Sequence, residues 1–217
     1  MEFKEGLSIE IKGEELILLP QKAIYWPKEK TLLIADLHLG KGNHFRKNGI
    51  SIPSTAHQKN WGRLDDLASI QHLEKIIFLG DLFHSSFNDE CLQLQEFILE
   101  RPSIQFELVQ GNHDILNDEN YLQMDLHIHP QAIELGPFLL SHEPIIEDGK
   151  YNIAGHIHPG VKLRGRGRQS QRIACFQFGK NSALMPAFGD LTGLHAVNVK
   201  KSDQIFLIVD EQIIPAQ

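Results

Sequence analysis

Cysteine is scarce: Cys91 and Cys175 are the only two in 217 residues, and they lack CxxC spacing. That argues against a disulfide framework, a thiolate zinc site and a redox pair, and leaves two buried, reduced thiols. Long apolar runs are also missing. Leu16-Ile17-Leu18-Leu19 and Ile205-Phe206-Leu207-Ile208-Val209 stop far short of the ~20 residues that a membrane span requires. The stretch MEFKEGLSIEIKGEE carries charge where a secretory leader would be apolar, so a cytoplasmic protein is expected. There is no surplus of positive charge either. Lys and Arg number 21 against 28 Asp and Glu, a formal net charge of -7, which argues against a surface coated for nucleic acid. Carboxylates gathered around metal ions would make part of that acidity internal. No long Pro/Ser/Gly tract or solenoid-length repeat interrupts the chain, so a single domain over residues 1–217 is expected.

What is abundant is histidine, 12 in all, and its placement leads to function. Apolar patterning marks strands at Leu7 to Ile11, Leu16 to Leu19, Thr31 to Ala35, Lys75 to Leu79 and Ile104 to Val109. Helices are expected over Pro53 to Ile70 and Asp89 to Leu99. After about residue 130 the texture changes to short strands at Phe138 to Ser141, Tyr151 to Ala154, Arg172 to Phe178, Ala196 to Val199 and Ile205 to Val209. A βαβ-rich half followed by an all-β half predicts two packed mixed sheets with helices outside them.

Five of these strands run into possible metal ligands. Thr31 to Ala35 leads to Asp36-Leu37-His38, Ile76 to Leu79 to Gly80-Asp81, and Phe106 to Val109 to Gly111-Asn112-His113-Asp114. Phe138 to Ser141 leads to His142, and Tyr151 to Ala154 to Gly155-His156-Ile157-His158. Sites assemble beyond the carboxyl ends of strands in α/β sheets, so segments spread over more than a hundred residues can converge. If the strand pleat continues, residues i and i+2 share a face. Asp36 and His38 could then reach one ion together, as could His156 and His158.

Taken in order, DLH, GDLFH, GNHD, a lone His and GHIH resemble the calcineurin-like metallophosphoesterase superfamily. ADLHLGKGNHFRKNGISIP, HIHPGVKLRGRG, RIACFQFG and LMPAFGDLTG are similar to its bacterial branch of ligase-associated DNA-damage-response endonucleases. The resemblance implies a four-layer α/β/β/α sandwich and a dinuclear, manganese-type centre acting on phosphodiesters. It also implies a functional link to an ATP-dependent DNA ligase, an exonuclease and a helicase. Carried over, one ion would be held by Asp36, His38 and His158 and the other by Asn112, His142 and His156, with Asp81 bridging. Donors of imidazole, carboxylate and amide suit Mn²⁺ or Fe²⁺ and admit Zn²⁺. Two such cations would activate a water for in-line attack on phosphorus. His113 would protonate the leaving oxygen, with Asp114 orienting its ring.

Other residues carry competing readings. Leu126-His127-Ile128-His129-Pro130 mimics the later HIHP. The later pair is preferred because Gly155 admits close backbone approach and because it follows His142 in the expected place. His84 stands where superfamily members carry Asp and would touch the scissile phosphate or a carboxylate behind the ligands. Arg46 either grips a phosphate or decorates a solvated loop. KLRGRGRQSQR, with Arg164, Arg166 and Arg168, is either a charged hairpin or a phosphate-gripping arm beside GHIH. The expected activity is metal-dependent endonucleolytic cleavage of single-stranded DNA. The rivals are hydrolysis of small phosphodiesters, cyclic nucleotides or nucleotide pyrophosphates, and a non-catalytic scaffold.

Overall fold

A computed structural model describes residues 6–42, 45, 49, 54–84, 87–165 and 169–216. The first sheet holds seven strands in sequence order: β1 (Leu7–Ile11), β2 (Glu14–Leu19), β3 (Ala23–Trp26), β4 (Thr31–Ile34), β5 (Lys75–Leu79), β6 (Gln105–Val109) and β7 (His127–His129). β1 to β4 pair antiparallel through short turns. From β4 to β7 the pairing is parallel, which requires crossovers. Three helices are described in those crossovers: α1 (Ser54–Ala68), α2 (Asp89–Leu99) and α3 (Asp118–Gln123). Asn88 and Asn117 cap the second and third, their side-chain oxygens accepting backbone N–H bonds from Glu90 and Asn120 at 2.9 Å.

The second sheet contains β8 (Ile133–Leu135), β9 (Phe138–Ser141), β10 (Tyr151–Ala154), β11 (Pro159–Arg164), β12 (Ser170–Phe178), β13 (Ser182–Leu184) and β14 (His195–Ala196), with β15 (Gln204–Val209) and β16 (Gln212–Pro215) joined through β12. Alternation divides the core. Leu32, Ile34, Ile76, Phe78, Phe106 and Leu108 face Leu64, Leu67, Leu94 and Phe97 of the helices. Leu33, Ile77, Leu79 and Val109 face the other way, onto Phe138, Leu140, Ile153, Phe176 and Phe178 of the second sheet. The two mixed sheets and flanking helices are the expected α/β architecture. All three described helices lie on the first sheet. On the second sheet, Val197 and Val199 pack with Cys175, Ile205 and Leu207 in a third, smaller cluster.

Sequence patterning misses β3, β8, β11, β13, β16 and α3. The basic run proves to be a hairpin over its described part: Lys162 pairs with Arg172 and Arg164 with Ser170, while Arg166 and Arg168 lie outside the described residues. Arg46 lies outside them too. No described helix is long and apolar enough to cross a membrane.

Candidate metal centre

The parallel strands β4, β5 and β6 end side by side, and the loops after them stay paired. The N–H groups of Asp36, His38 and Leu39 donate to the carbonyls of Gly80, Asp81 and Leu82 at 3.2, 2.9 and 2.8 Å. The expectation that strand pleating aims Asp36 and His38 together is corrected here: β4 stops at Ile34. Asp36 and His38 have φ of 54° and 53°, and Asp81, His156 and His158 are also left-handed, at 49°, 65° and 52°. Left-handed turns, which cost non-glycine residues free energy, therefore aim these side chains.

Two clusters result. Asp36, His38 and His158 form one; Asp81, His142 and His156 form the other; in each, the donor atoms lie within 4.8 Å of one another. His156 and His158 thus separate, whereas the pleated reading had put them on one ion. Asn112 joins the second group, its Oδ1 3.1 Å from His142 Nε2. Asp81 faces both, with Oδ1 3.4 Å from His142 Nε2 and Oδ2 3.7 Å from His38 Nε2. Close packing makes this possible. A Cβ on Gly80, whose φ is +77°, would fall 2.2 Å from His142 Nδ1, and one on Gly155 would fall 2.7 Å from Asp36 Oδ2.

Tautomers follow from the hydrogen bonds. The Nδ1–H of His142 donates to the Leu79 carbonyl at 3.0 Å, and that of His158 to the Gly193 carbonyl at 3.2 Å. Each neutral ring then turns an Nε2 lone pair inward. His142 Nε2 meets Asn112 Oδ1 and the Asp81 carboxylate; His158 Nε2, buried without a hydrogen-bond partner, lies 3.3 Å from Asp36 Oδ1. Both ring nitrogens of His38 are likewise buried without hydrogen-bond partners. Burial, helped by the positive charge of Lys41, pushes the His38 pKa down to about 2, so its ring is neutral as a ligand must be. Lone pairs and carboxylates converging in a buried site repel one another unless a cation lies among them. The donors therefore fit divalent metals.

Around this centre His113 and His84 pack ring to ring, 4.9 Å between centroids, each beside His38 at 5.5 and 5.3 Å. The backbone N–H of His113 donates to Asp81 Oδ1 at 3.0 Å. Asp114 departs from its expected role. Its oxygens accept the backbone N–H bonds of Phe83 at 2.9 Å and Gly111 at 2.8 Å, so this buried carboxylate ties two site loops together and does not orient the His113 ring. Of the earlier HIHP, His127 is exposed and His129 contacts Glu107 at 2.7 Å on the sheet edge; neither joins a described cluster.

Sequence reasoning missed the brace behind Asp36. The backbone N–H groups of Phe188 and Gly189 donate to the carbonyls of Ala35 and Asp36 at 2.8 and 3.1 Å. Arg63 of α1 fixes that segment: its guanidinium donates to the Phe188 carbonyl and to Asn60 Oδ1, both at 2.6 Å, pairs with Asp190 at 3.0 Å and lies 4.7 Å over the Phe188 ring. Lys22 holds Asp190 from the other side at 3.1 Å. LMPAFGDLTG was the available signal, quoted for resemblance without a contact to explain it.

Over residues 29–174 the sequence matches the calcineurin-like phosphoesterase family, and the chain belongs to it. It is a metal-dependent hydrolase acting on phosphoester bonds. The solved structure of the nuclease MPE from Pseudomonas putida is similar throughout, with 29% identity, a TM-score of 0.79 and coverage of 97% of this chain and 99% of that one. A protein of unknown function from Aquifex aeolicus, AQ665, matches at 21% identity and a TM-score of 0.42, over 64% of this chain and 82% of that one. Among curated proteins nothing matches.

Proposed function

We propose that this single-domain protein is a dinuclear phosphodiesterase that cleaves single-stranded DNA internally. The observation that carries the reading is Asp81, whose two oxygens face one cluster each. Asp36, His38 and His158 would hold one ion, and Asn112, His142 and His156 the other. The resemblance favours Mn²⁺, and the donors themselves also admit Fe²⁺ or Zn²⁺. When bound, the ions supply Lewis-acid charge at the phosphate and an activated water. The chain's own residues do the rest. Nδ1–H bonds to the Leu79 and Gly193 carbonyls fix the tautomer of the neutral His142 and His158 rings in which the Nε2 lone pair faces inward. His113, held by its N–H bond to Asp81 and packed against His84, gives its ring proton to the leaving oxygen. His84 steadies the scissile phosphate from the same side.

Similarity to a nuclease over nearly the whole chain favours nucleic acid as substrate. β11 leaves directly from His158, and five steps of ~3.3 Å carry Arg164 about 17 Å outward. That suits the basic hairpin, with Arg166 and Arg168, to phosphates flanking the cut; Arg46 is assigned the same task by its motif. The resemblance further suggests a repair setting with an ATP-dependent DNA ligase, an exonuclease and a helicase. The net charge of -7 favours a second reading, hydrolysis of small phosphodiesters. Incubation with Mn²⁺ and, in parallel, circular single-stranded DNA, linear duplex and a cyclic dinucleotide separates them. Linearised circles support the proposal, and turnover confined to the dinucleotide refutes it.

A further inference from the structure

Beside the metal centre, on the second sheet, lies an open groove of about 680 Å³ that the chemistry described so far does not use. Its inner wall comes from the ligand-bearing loops: Ile157 stands between His156 and His158, and Ile146 follows His142 by four residues. Ile146 is 85% exposed, the most exposed of the described large apolar side chains, and it lies on the groove wall with Ile157. Leu184 and Val197 continue the apolar lining, and Lys180 and Lys200 supply positive charge. Asp203, the acid among the lining residues, is buried and already accepts hydrogen bonds from Gln177 Nε2 at 2.8 Å and the Lys200 backbone at 3.0 Å. The groove therefore offers apolar contacts interspersed with uncharged polar side chains and two lysines, and it reaches the ligand loops through Ile146 and Ile157.

We infer that this groove is a track for the nucleotides on one side of the scissile phosphodiester, with bases lying over Ile146, Ile157, Leu184 and Val197 and the backbone passing Lys180 and Lys200. The inference rests on the single-strand reading above and deepens it. Apolar contact with base faces tolerates any sequence, and lysines meeting a backbone add affinity that weakens with salt. The groove runs along the sheet, whereas the basic hairpin projects on β11, so the two would hold different parts of one strand.

The test uses the full chain with Mn²⁺, comparing wild type, Ile146→Ser and Lys180→Glu on a short oligothymidylate, the same strand with abasic sites, and bis(p-nitrophenyl) phosphate. Ile146→Ser should raise KM for the oligothymidylate about three- to tenfold, the scale of a weakened base contact, and lose that effect on the abasic strand. Lys180→Glu should raise KM on both strands and flatten the log-log salt dependence by about 0.7, one single-strand phosphate. Turnover of the small diester should stay at wild-type level, which also reports a folded centre. Wild-type DNA cleavage with KM unchanged in both variants overturns the groove assignment alone. No cleavage of DNA by the wild type overturns the single-strand reading and the groove with it. Equal losses on the strand and the small diester overturn it too, by placing the effect at the metals.

Discussion

Replacing Arg63 with alanine tests whether the brace behind Asp36 sets the metal centre or only supports the fold. The guanidinium makes a charge-assisted bond to the Phe188 carbonyl, a second to Asn60, an ion pair with the partly exposed Asp190 and a cation–π contact with Phe188. A charged hydrogen bond contributes about 1.5–3 kcal/mol, the cation–π contact about 0.5–1, and the ion pair less than about 1 because solvent reaches it. Since one nitrogen serves several partners, the contributions overlap, and a loss of about 2–4 kcal/mol is expected. In a chain of this size that lowers the Tm by about 4–16 °C. The consequence for function is directional. Phe188 and Gly189 bond to Ala35 and Asp36, so the cluster containing Asp36 should loosen while the one built on His142 and His156 does not. Calorimetric Mn²⁺ titration of the metal-free variant should show one site weakened about tenfold or more beside one of wild-type affinity. Lys at this position keeps the charge and three N–H donors on one nitrogen but loses the planar guanidinium over Phe188, and should fall between. If Arg63→Ala loses the expected stability yet binds two ions as the wild type does, the brace supports the fold and does not position Asp36.

Asp81→Asn should lower both metal occupancy, read by elemental analysis, and turnover, whereas His127→Ala should leave both near wild type; a metal lost in His127→Ala and kept in His156→Ala would move the ligands to the earlier HIHP. His113→Ala is expected to slow DNA cleavage about 10²–10⁴-fold with metal content intact, and to slow a nitrophenyl diester less because phenolate leaves unprotonated. Equal losses would make His113 a phosphate-positioning group. Neutralising Arg164, Arg166 and Arg168 together should weaken DNA binding, measured with Ca²⁺ in place of Mn²⁺, and reduce the salt slope by as much as ~2, sparing the small diester; unchanged binding would reduce the hairpin to decoration. Burial, outweighing two backbone hydrogen bonds, pushes the Asp114 pKa up to about 6. This group's contribution to the stability of metal-free protein is therefore fullest below about pH 4 and lost as pH rises through 6, by about 3 kcal/mol for a shift near two units. Urea unfolding from pH 4 to 7 should show that decline relative to Asp114→Asn, and parallel curves would refute it.

The ligand-bearing ends of β4 and β5 could be read from sequence because parallel strands buried on both faces are near-continuous apolar runs whose polar terminators stand out; β6 and β10 could be read too, although Glu107 and Asn152 interrupt them. β11 could not: its Lys162, Leu163 and Arg164 are exposed, so no alternation marks a strand. Backbone handedness at Asp36 and His38 was invisible for a different reason. It is imposed by pairing with Gly80 to Leu82, more than forty residues away, against the preference of the residues themselves. Asp114 was assigned from its neighbour His113, but its partners are backbone groups, which have no signature in side-chain spacing.

The brace has a consequence for how the protein is made. Asp36 and His38 leave the ribosome well before His158 and the Phe188–Gly189 segment that bonds to the Asp36 loop, which follow about 120 and 150 residues later. At ~5–20 residues per second, that leaves roughly 8–30 s between the synthesis of Asp36 and that of its brace. Truncation between His158 and Phe188 leaves every proposed ligand in the chain but removes the segment that braces the Asp36 loop.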